Sequence, residues 1–327
     1  MLSYLYPVLS PIKRRIVNVI SNPSIILLYH RVTKLQRDPQ LLAVSPENFE
    51  SQVRILKKHC NLLSPEEYVE LLDNYKKMPP RAVLMTFDDG YADNHLEARP
   101  ILESHKARAL FYITTSKLGT SEKLWWDEIE EVMFDGELNG PIELQSHGQV
   151  HKFQVRHEKD REEIYKQLHP IVKHQDIQRR EDLIKKIRAW GNVKARDTQS
   201  HRLLTLEELA EFSKSPACLI GAHTLDHPML SSLTPDAQLR QIAGSKEFLE
   251  TKCGYRIDHF SYPFGAKMHD YSKDTREICS QLGFKLVTSN YYGQVHSWTD
   301  RLQMPRILVR DWNEEVFTAN LKKWFKW

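Results

Sequence analysis

Two adjacent carboxylates follow a strongly apolar segment of this chain. Residues 82–87 are all apolar or β-branched, and Asp88, Asp89 and Gly90 come directly after them. The pattern predicts a buried strand that carries two negative charges at its end. Neighbouring carboxylates repel each other and lose solvation, so they need a metal ion, a shared proton or exposure to solvent. Because Asp-Gly is also common in turns, this segment alone leaves an ordinary polar turn open.

Two histidines four residues apart form a second candidate group. On one helical turn, His223 and His227 would lie on the same side. With Asp89 they would make a set of two imidazoles and one carboxylate, which can hold a divalent metal ion and leave positions free for water and substrate. Taken alone, the pair is also typical of polar histidines at a helix end. Combined with the paired carboxylates, it favours a catalytic metal site.

The elements that must position these residues alternate between strand and helix. This alternation favours parallel strands joined by right-handed crossovers. In barrels of parallel strands, the loops after the strands converge on one cavity, so we expect His30, Asp88, Asp89, His223 and the turn 263–265 to meet there. Strands are predicted over 24–30, 82–88, 109–114, 218–223, 259–262, 284–288 and 306–309, and helices after Ser45, Ser64 and Thr234 and across 96–102, 275–282 and 314–324.

Residues 119–215 interrupt the alternation and are interpreted as an insertion. Within them, residues 160–190 are predicted to form a charged amphipathic helix. The predicted organisation is an N-terminal segment, 1–24, and one domain, 25–327. Trp126 could stack on a sugar ring, but burial in the core is the preferred interpretation. Six histidines of the insertion are interpreted as solvated: His147, His151, His157, His169, His174 and His201.

Composition excludes several classes of protein. The chain has 327 residues with 46 Lys+Arg, 43 Asp+Glu and a net charge of +3, which is typical of a soluble globular protein and does not favour nucleic acid as a partner. Nothing indicates an export signal, a bilayer-spanning segment or an obligate protein partner. A cytoplasmic location is predicted, with the inner membrane face as the alternative if residues 1–24 contact a membrane surface. The separated cysteines are predicted to be buried, reduced thiols: Cys60, Cys218, Cys253 and Cys279.

Three motifs together resemble those of the polysaccharide deacetylase family with the NodB homology domain, carbohydrate esterase family 4. They are Thr86-Phe87-Asp88-Asp89-Gly90, His223-Thr224-Leu225-Asp226-His227 and Phe260-Ser261-Tyr262-Pro263-Phe264-Gly265. The resemblance covers about residues 25–118 and 216–310. It implies an α/β fold, a distorted (β/α) barrel of the NodB type. It also implies a metal-dependent hydrolase that removes N-acetyl groups from amino sugars in a polysaccharide or glycan precursor.

The same resemblance implies roles for individual residues. Asp89, His223 and His227 would bind the divalent metal, with Zn²⁺ as the first choice, and Asp88 would be the general base. The late Leu-x-His motif of the common arrangement is missing. Leu28-Tyr29-His30 instead resembles permuted members typified by poly-N-acetylglucosamine de-N-acetylases, which assigns the general acid to His30. The alternative is a histidine that only caps a buried strand.

The third motif departs from the family pattern, because Ser261 stands where many members have an arginine that orients the catalytic aspartate. Arg306 could supply that charge, although a surface arginine is the preferred interpretation. The resemblance further suggests that the backbone N–H of Phe264, after Pro263, stabilises the oxyanion.

Tyr91 and Asp93 could line the entrance to the site, or Tyr91 could pack under the loop. Two rival functions also stay open. One is a hydrolase that removes formyl or opens a cyclic amide at the same metal site. The other is a catalytically silent barrel that binds carbohydrate. For the deacetylase, the expected partner is an N-acetylated carbohydrate substrate, and an aspartate base with a histidine acid predicts a bell-shaped pH profile.

Overall fold

The computed structural model describes residues 22–74, 77–193 and 199–325. The predicted N-terminal segment and its possible membrane contact lie almost entirely outside these residues. Within them the strands are β1 Ile25–Tyr29, β2 Arg31–Val32, β3 Ala43–Val44, β4 Asn61–Leu62, β5 Ala82–Phe87, β6 Ala109–Ile113, β7 Ile142–Ser146, β8 Gln149–Phe153, β9 Cys218–Ala222, β10 His259–Ser261, β11 Leu286–Thr288 and β12 Ile307–Leu308. The α-helices are α1 Pro46–His59, α2 Pro65–Asp73, α3 Arg99–Ser104, α4 Trp125–Asp135, α5 Glu158–Lys173, α6 Ile177–Gly191, α7 Leu206–Phe212, α8 Pro235–Cys253, α9 Lys273–Gln281 and α10 Glu314–Phe325.

One curled parallel sheet organises the described residues. Its eight strands run in the order β11-β10-β9-β6-β5-β1-β12, with β4 on β5. Every pairing in this sheet is parallel. A parallel bridge between Thr288 and Met304 brings the segment before β12 next to β11, so the sheet curls towards closure. The predicted α/β class and distorted barrel are therefore confirmed.

The central strands are buried on both faces, as expected when helices cover a parallel sheet. All residues of β1, β5 and β6 are buried. Their aromatic side chains stack across the sheet, with ring centroids 5.1 Å apart for Tyr29 and Phe87 and 4.6 Å apart for Phe87 and Phe111. This rigid stack lies directly below the strand ends that carry the candidate site residues.

Serine and threonine cap several of the predicted helices. Ser64 forms a capping box at the start of α2, and Thr234 accepts the backbone N–H of Ala237 at the start of α8. Ser45 precedes α1 but makes no such cap, because its hydroxyl donates to Asp311 instead at 2.7 Å. The helices predicted to begin after Ser45, Ser64 and Thr234 are therefore present, although the Ser45 side chain does not cap its helix.

The insertion is more elaborate than predicted. The long helix expected over 160–190 is two helices, α5 and α6, because Asp176 accepts the N–H of Arg179 and starts a new helix. The insertion also contains α4 and the antiparallel hairpin β7–β8. Its apolar side chains belong to the same buried cluster as those of the barrel. The domain boundaries themselves remain a prediction.

The four cysteines lie within the described residues and are free thiols, as predicted. Cys218 and Cys279 are buried, whereas Cys60 and Cys253 are only partly buried. Among the described helices, none has the length and apolar character required to cross a membrane.

Candidate active site

The candidate residues gather beyond the carboxyl ends of the central strands. The N–H of Asp88 donates to the carbonyl of Tyr29 at the end of β1, and the N–H of His223 donates to the carbonyl of Ile113 at the end of β6. Gly90 has a φ of 87°, and a Cβ on it would lie 2.8 Å from Cγ2 of Ile113. Glycine is therefore required for the turn that presents the two carboxylates.

Asp89, His223 and His227 form a compact group of potential metal ligands. Their ligand atoms all lie within 4.8 Å of one another. Nε2 of His223 is 3.6 Å and Nε2 of His227 is 3.5 Å from Oδ1 of Asp89. All three side chains are buried. The structure thus brings together the three residues predicted to bind the metal.

The two histidines converge for a different reason from the one predicted. Residues 223–229 form a loop and not a helical turn. Thr224 and His227 have left-handed φ values of 67° and 51°. The hydroxyl of Thr224 accepts the backbone N–H of His227 at 3.0 Å. A side-chain turn, which the spacing could not distinguish from a helix, therefore brings the imidazoles together.

The protonation states of Asp89, His223 and His227 are compatible with binding of a divalent cation. Nδ1 of His223 lies 2.7 Å from the carbonyl oxygen of Ser261, so it must carry the hydrogen and leave the lone pair on Nε2. Burial lowers the pKa of His223 and lowers the pKa of His227 well below its ordinary value, so both imidazoles are neutral. Burial and the neighbouring Asp88 raise the pKa of Asp89 well above its ordinary value. A cation bound to Asp89 would counter the effects of burial and of the charge of Asp88 on its pKa. One carboxylate and two imidazoles are a set of ligands that suits such a cation.

Asp88 is paired with a buried arginine. Nη1 and Nη2 of Arg306 lie 2.7 Å and 2.6 Å from the two carboxylate oxygens of Asp88, and Nη2 also donates to the hydroxyl of Ser261 at 2.8 Å. Arg306 is 1% exposed, so the preferred interpretation as a surface arginine is wrong. Burial acts to raise the pKa of Asp88, but the charge and hydrogen bonds of Arg306, together with His223 and His30, outweigh it, and the pKa is lowered. Arg306, which directly precedes β12, thus supplies to Asp88 the positive charge that Ser261 cannot supply.

His30 directly follows β1, and the charge of Asp88 affects the pKa of its imidazole. Its carbonyl accepts Nδ2 of Asn94 at 2.9 Å, while its buried Nδ1 has no hydrogen-bond partner within the described part of the chain. Burial lowers the pKa of His30 to about 4, against the charge of Asp88, which raises it. The imidazole is therefore neutral near pH 7. Its role as general acid stays a prediction.

Tyr91, Asp93 and Trp126 lie beneath the site and do not line its entrance. Tyr91 is fully buried, donates to Oδ2 of Asp127 at 2.8 Å and accepts Nε1 of Trp126 at 2.8 Å. Asp93 is paired with Arg31 at 2.9 Å. The Trp126 ring is buried and lies 4.7 Å from that of His227, so it packs against this histidine. The entrance role of Tyr91 is wrong, and core burial of Trp126 is correct.

Pro263 and Phe264 border the group from the third motif. Pro263 is buried, whereas Phe264 is partly exposed and has a left-handed φ of 59°. Its ring lies 4.7 Å from that of His227. The ammonium of Lys173 lies 4.3 Å from the same ring, which places α5 of the insertion at the edge of the site. The oxyanion role of the Phe264 N–H stays a prediction.

The insertion also contacts the histidine loop through Arg180, which sequence reasoning missed. Its buried guanidinium donates to the carbonyls of Asp226 at 2.8 Å and His227 at 3.1 Å. Nothing in the sequence distinguishes Arg180 from the exposed Arg179 beside it. Only the folded structure shows which of the two arginines lies on the buried side of α6.

A second group of potential ligands lies deeper in the insertion. Ligand atoms of Asp127, Glu130 and His201 lie within 4.8 Å of one another. Burial raises the pKa of Asp127 to about 7 and that of Glu130 to about 8. His201 is only 18% exposed, and the His169 ring packs 4.7 Å from that of Trp125. The interpretation of these two histidines as solvated is therefore wrong.

Known structures share this fold. The deacetylase PplD of Streptococcus pyogenes, solved in complex with acetate, superposes with a TM-score of 0.60 at 20% identity, over 91% of this chain and 98% of that one. IcaB from Ammonifex degensii gives a TM-score of 0.59 at 19% identity, over 93% and 97%. At these identities the similarity shows the fold.

Sequence comparison identifies the family. The family model described as Polysaccharide deacetylase matches residues 75–196 and 171–287, more than half of the chain. A curated protein of Bacillus subtilis (strain 168), "Putative polysaccharide deacetylase YxkH", is 29% identical over 123 residues, which span 37% of this chain and 41% of that protein. The chain belongs to the polysaccharide deacetylase family. Membership confirms the predicted family, and the alignment spans less than half of the curated relative's own length. The family match extends into the insertion, residues 119–215, which the resemblance based on the three motifs did not cover.

Proposed function

We propose that this protein hydrolyses the N-acetyl group of an amino sugar in a polysaccharide or glycan precursor, with Asp88 as general base and His30 as general acid beside a divalent cation. The observation that carries the proposal is the placement of Asp88. Its carboxylate is held ionised by Arg306 and lies 3.7 Å from Nε2 of His223. An ionised carboxylate next to the three potential metal ligands supports the assignment of Asp88 as general base.

Asp89, His223 and His227 would hold the cation, and Zn²⁺ suits one carboxylate and two imidazoles. When bound, such an ion lowers the pKa of a water molecule and polarises the acetyl carbonyl. The neutral imidazoles and the fixed tautomer of His223 support this assignment. The identification of the metal as Zn²⁺ is part of the proposal.

The proton transfers are assigned to residues of the chain. Asp88 accepts the proton of the attacking water, because Arg306 keeps its carboxylate ionised. An amine leaves poorly as an anion, so the sugar nitrogen needs a proton from His30. The backbone N–H of Phe264 would stabilise the negative charge that develops on the carbonyl oxygen. Since His30 is neutral near pH 7, its imidazole must take up a proton from solvent before it can protonate the leaving amine.

The direct test is acetate release from N-acetylglucosamine oligomers by the purified, Zn²⁺-loaded protein. Asp88→Asn should retain the metal and lose activity by about 10²- to 10⁴-fold, the usual contribution of a general base. Asp236→Asn, which removes an exposed carboxylate from α8, is the matched control and should be unaffected. Release of formate from N-formyl substrates without acetate release would favour the rival hydrolase. Full activity of Asp88→Asn would remove Asp88 from its role.

The cytoplasmic location, the alternative at the inner membrane face and the contact of residues 1–24 with a membrane remain predictions.

A further inference from the structure

The turn that carries Phe264 depends on support from its surroundings. Phe264 and Gly265 both have left-handed φ values, of 59° and 70°. This conformation is costly for a phenylalanine, so it persists only where neighbouring structure fixes it. The carbonyl of Gly265 accepts the N–H of Asn290 at 2.9 Å, which ties the turn to the segment after β11. The phenyl ring is held from another direction, because it contacts the insertion.

Lys173, the last residue of α5, provides a charged contact between the insertion and this turn. Its ammonium lies 4.3 Å from the centroid of the Phe264 ring and 2.8 Å from Oδ1 of Asp270. The Lys173 side chain is 17% exposed and the Asp270 side chain only 1%. Because both contacts are largely shielded from water, the cation–π contact and the ion pair are stronger than they would be at an exposed site.

Asp270 connects the ion pair to the backbone of the segment 264–270. Its Oδ2 accepts the N–H of Ala266 at 2.8 Å, and its own N–H donates to the carbonyl of Ala266 at 2.9 Å. The ring of the exposed His269 also lies 2.9 Å from Oδ1 of Asp270, but it belongs to the same segment and cannot join that segment to the insertion. Lys173 therefore fixes both the start and the end of this segment relative to α5.

A second residue of α5 supports the same turn. His169 lies one helical turn before Lys173, and its ring packs 4.7 Å from that of Trp125. The Trp125 ring in turn lies 6.2 Å from that of Phe264, which is itself 4.7 Å from the His227 ring. The Phe264 ring thus contacts both the insertion and a proposed metal ligand. Loss of the contact with α5 would allow the turn to shift relative to that ligand.

We propose that Lys173 is a positioning residue, which holds the Phe264 turn from the insertion so that the N–H of Phe264 is directed at the oxyanion. The inference rests on the proposed function and gives α5 a part in the same reaction. A hydrogen-bond donor stabilises a developing oxyanion best when it is held in place before the reaction. A displacement of about 1 Å can cost as much as about 10²-fold in rate.

The test measures kcat and KM of Lys173→Met for two reactions: acetate release from N-acetylglucosamine oligomers and hydrolysis of p-nitrophenyl acetate, an activated ester. Methionine keeps an unbranched apolar side chain but removes the ammonium. We expect kcat to fall about 10- to 100-fold on both substrates, because an oxyanion forms in both reactions. KM should change less than about twofold, because the Phe264 N–H acts on the transition state.

Two variants of α5 serve as controls. Lys166→Met removes an exposed lysine that pairs with Glu162 at 2.7 Å, and it should leave kcat and KM unchanged. Lys173→Arg keeps a positive charge beside the ring and the carboxylate, so it should recover most of the lost kcat. Both Lys173 variants should retain the Zn²⁺ content of the wild type, because in this proposal Lys173 acts through Phe264 and not through a metal ligand.

Asp270→Asn tests the ion pair from its other side. It removes the charge that Lys173 contacts, so it should lower kcat on both substrates without raising KM. Residues that act as a pair give losses that do not add. The double variant Lys173→Met/Asp270→Asn should therefore have a kcat within about threefold of that of the slower single variant.

Several outcomes would overturn the proposal. They are an unchanged kcat in Lys173→Met, a rise in KM alone, a loss confined to the amide, a loss of Zn²⁺, no recovery in Lys173→Arg, and fully additive losses in the double variant. If the wild type releases no acetate from the oligomers, the proposed function fails and the role of Lys173 with it. Acetate release by the wild type together with a normal kcat in Lys173→Met would refute the role of Lys173 alone.

Discussion

At the scale of single residues, one buried ion pair lies next to the three potential metal ligands. Asp88 would be costly to bury as a carboxylate without a partner, and Arg306 supplies that partner through two short hydrogen bonds. Sequence reasoning identified Asp88 because two carboxylates after an apolar strand are chemically unusual. It could not place Arg306, since the two residues are 218 positions apart and a single arginine is usually exposed.

Replacing Arg306 should change both stability and the pH dependence of activity. Arg306→Gln leaves a buried carboxylate without its charge partner, so we expect a loss of about 3 kcal/mol in the free energy of unfolding at pH 7. With the lowering cause removed, the pKa of Asp88 rises. As the proposed general base, Asp88 must be ionised to act, so the acid limb of kcat/KM should move to higher pH.

Urea unfolding and pH–rate profiles check this prediction. The stability deficit should shrink as the pH falls from 7 towards 4, because the variant takes up a proton on Asp88 that the wild type does not. Arg54→Gln removes an exposed arginine paired with Glu314 and should cost less than about 1 kcal/mol. An acid limb that does not move in Arg306→Gln would show that Arg306 does not tune Asp88.

His30 should matter most when the leaving group needs a proton. His30→Ala is expected to slow amide hydrolysis by about 10²-fold or more, but to affect an activated acetate ester much less. The protonated form of His30 is lost as the pH rises through its lowered pKa. Wild-type kcat/KM on amides should therefore already decline with rising pH below 7, and this decline should be absent in His30→Ala. Equal losses on amide and ester would argue that His30 only caps β1.

At the scale of elements, strands were easier to predict than loops and helix breaks. Each long apolar run is a strand of the sheet to within one or two residues, because burial on both faces requires continuous apolar sequence. The loop after β9 was predicted as a helical turn, since the four-residue spacing of His223 and His227 fits both. The break between α5 and α6 depends on one cap, Asp176, within a long charged segment, and was missed.

The contact between α6 and the histidine loop leads to a prediction about metal affinity. Arg180→Ala removes two hydrogen bonds to the carbonyls of Asp226 and His227. Removal of a residue that orients a metal ligand typically lowers the affinity for the metal 10- to 100-fold. We expect the affinity of Arg180→Ala for Zn²⁺ to fall by that much. Competition with a chromophoric chelator measures it, independently of activity.

Arg179→Ala is the matched control, because it removes the neighbouring arginine, which is exposed and pairs with Asp176. Its Zn²⁺ affinity should equal that of the wild type, and Arg180→Lys should restore part of the loss. If Arg180→Ala binds Zn²⁺ as tightly as the wild type, the insertion does not position His227.

At the scale of the whole molecule, the alternation of strands and helices was sufficient to predict parallel strands, whereas the barrel was implied by the family resemblance. The convergence of distant residues follows from that topology, because parallel strands place all their carboxyl ends at one side of the sheet. The insertion could not be predicted in the same way. Its packing against the barrel, through shared apolar contacts and Arg180, depends on tertiary contacts that no local pattern encodes.

The central claim is that Asp89, His223 and His227 gather around one divalent cation. Metal analysis after loading with Zn²⁺ and gel filtration tests it most directly. We predict about one ion per chain in the wild type and in Asp88→Asn, and almost none in Asp89→Ala, which loses one of the three proposed ligands. A wild type without bound metal would contradict the account. So would an ion that stays in Asp89→Ala and is lost in Asp127→Ala, because it would belong to the second group of ligands.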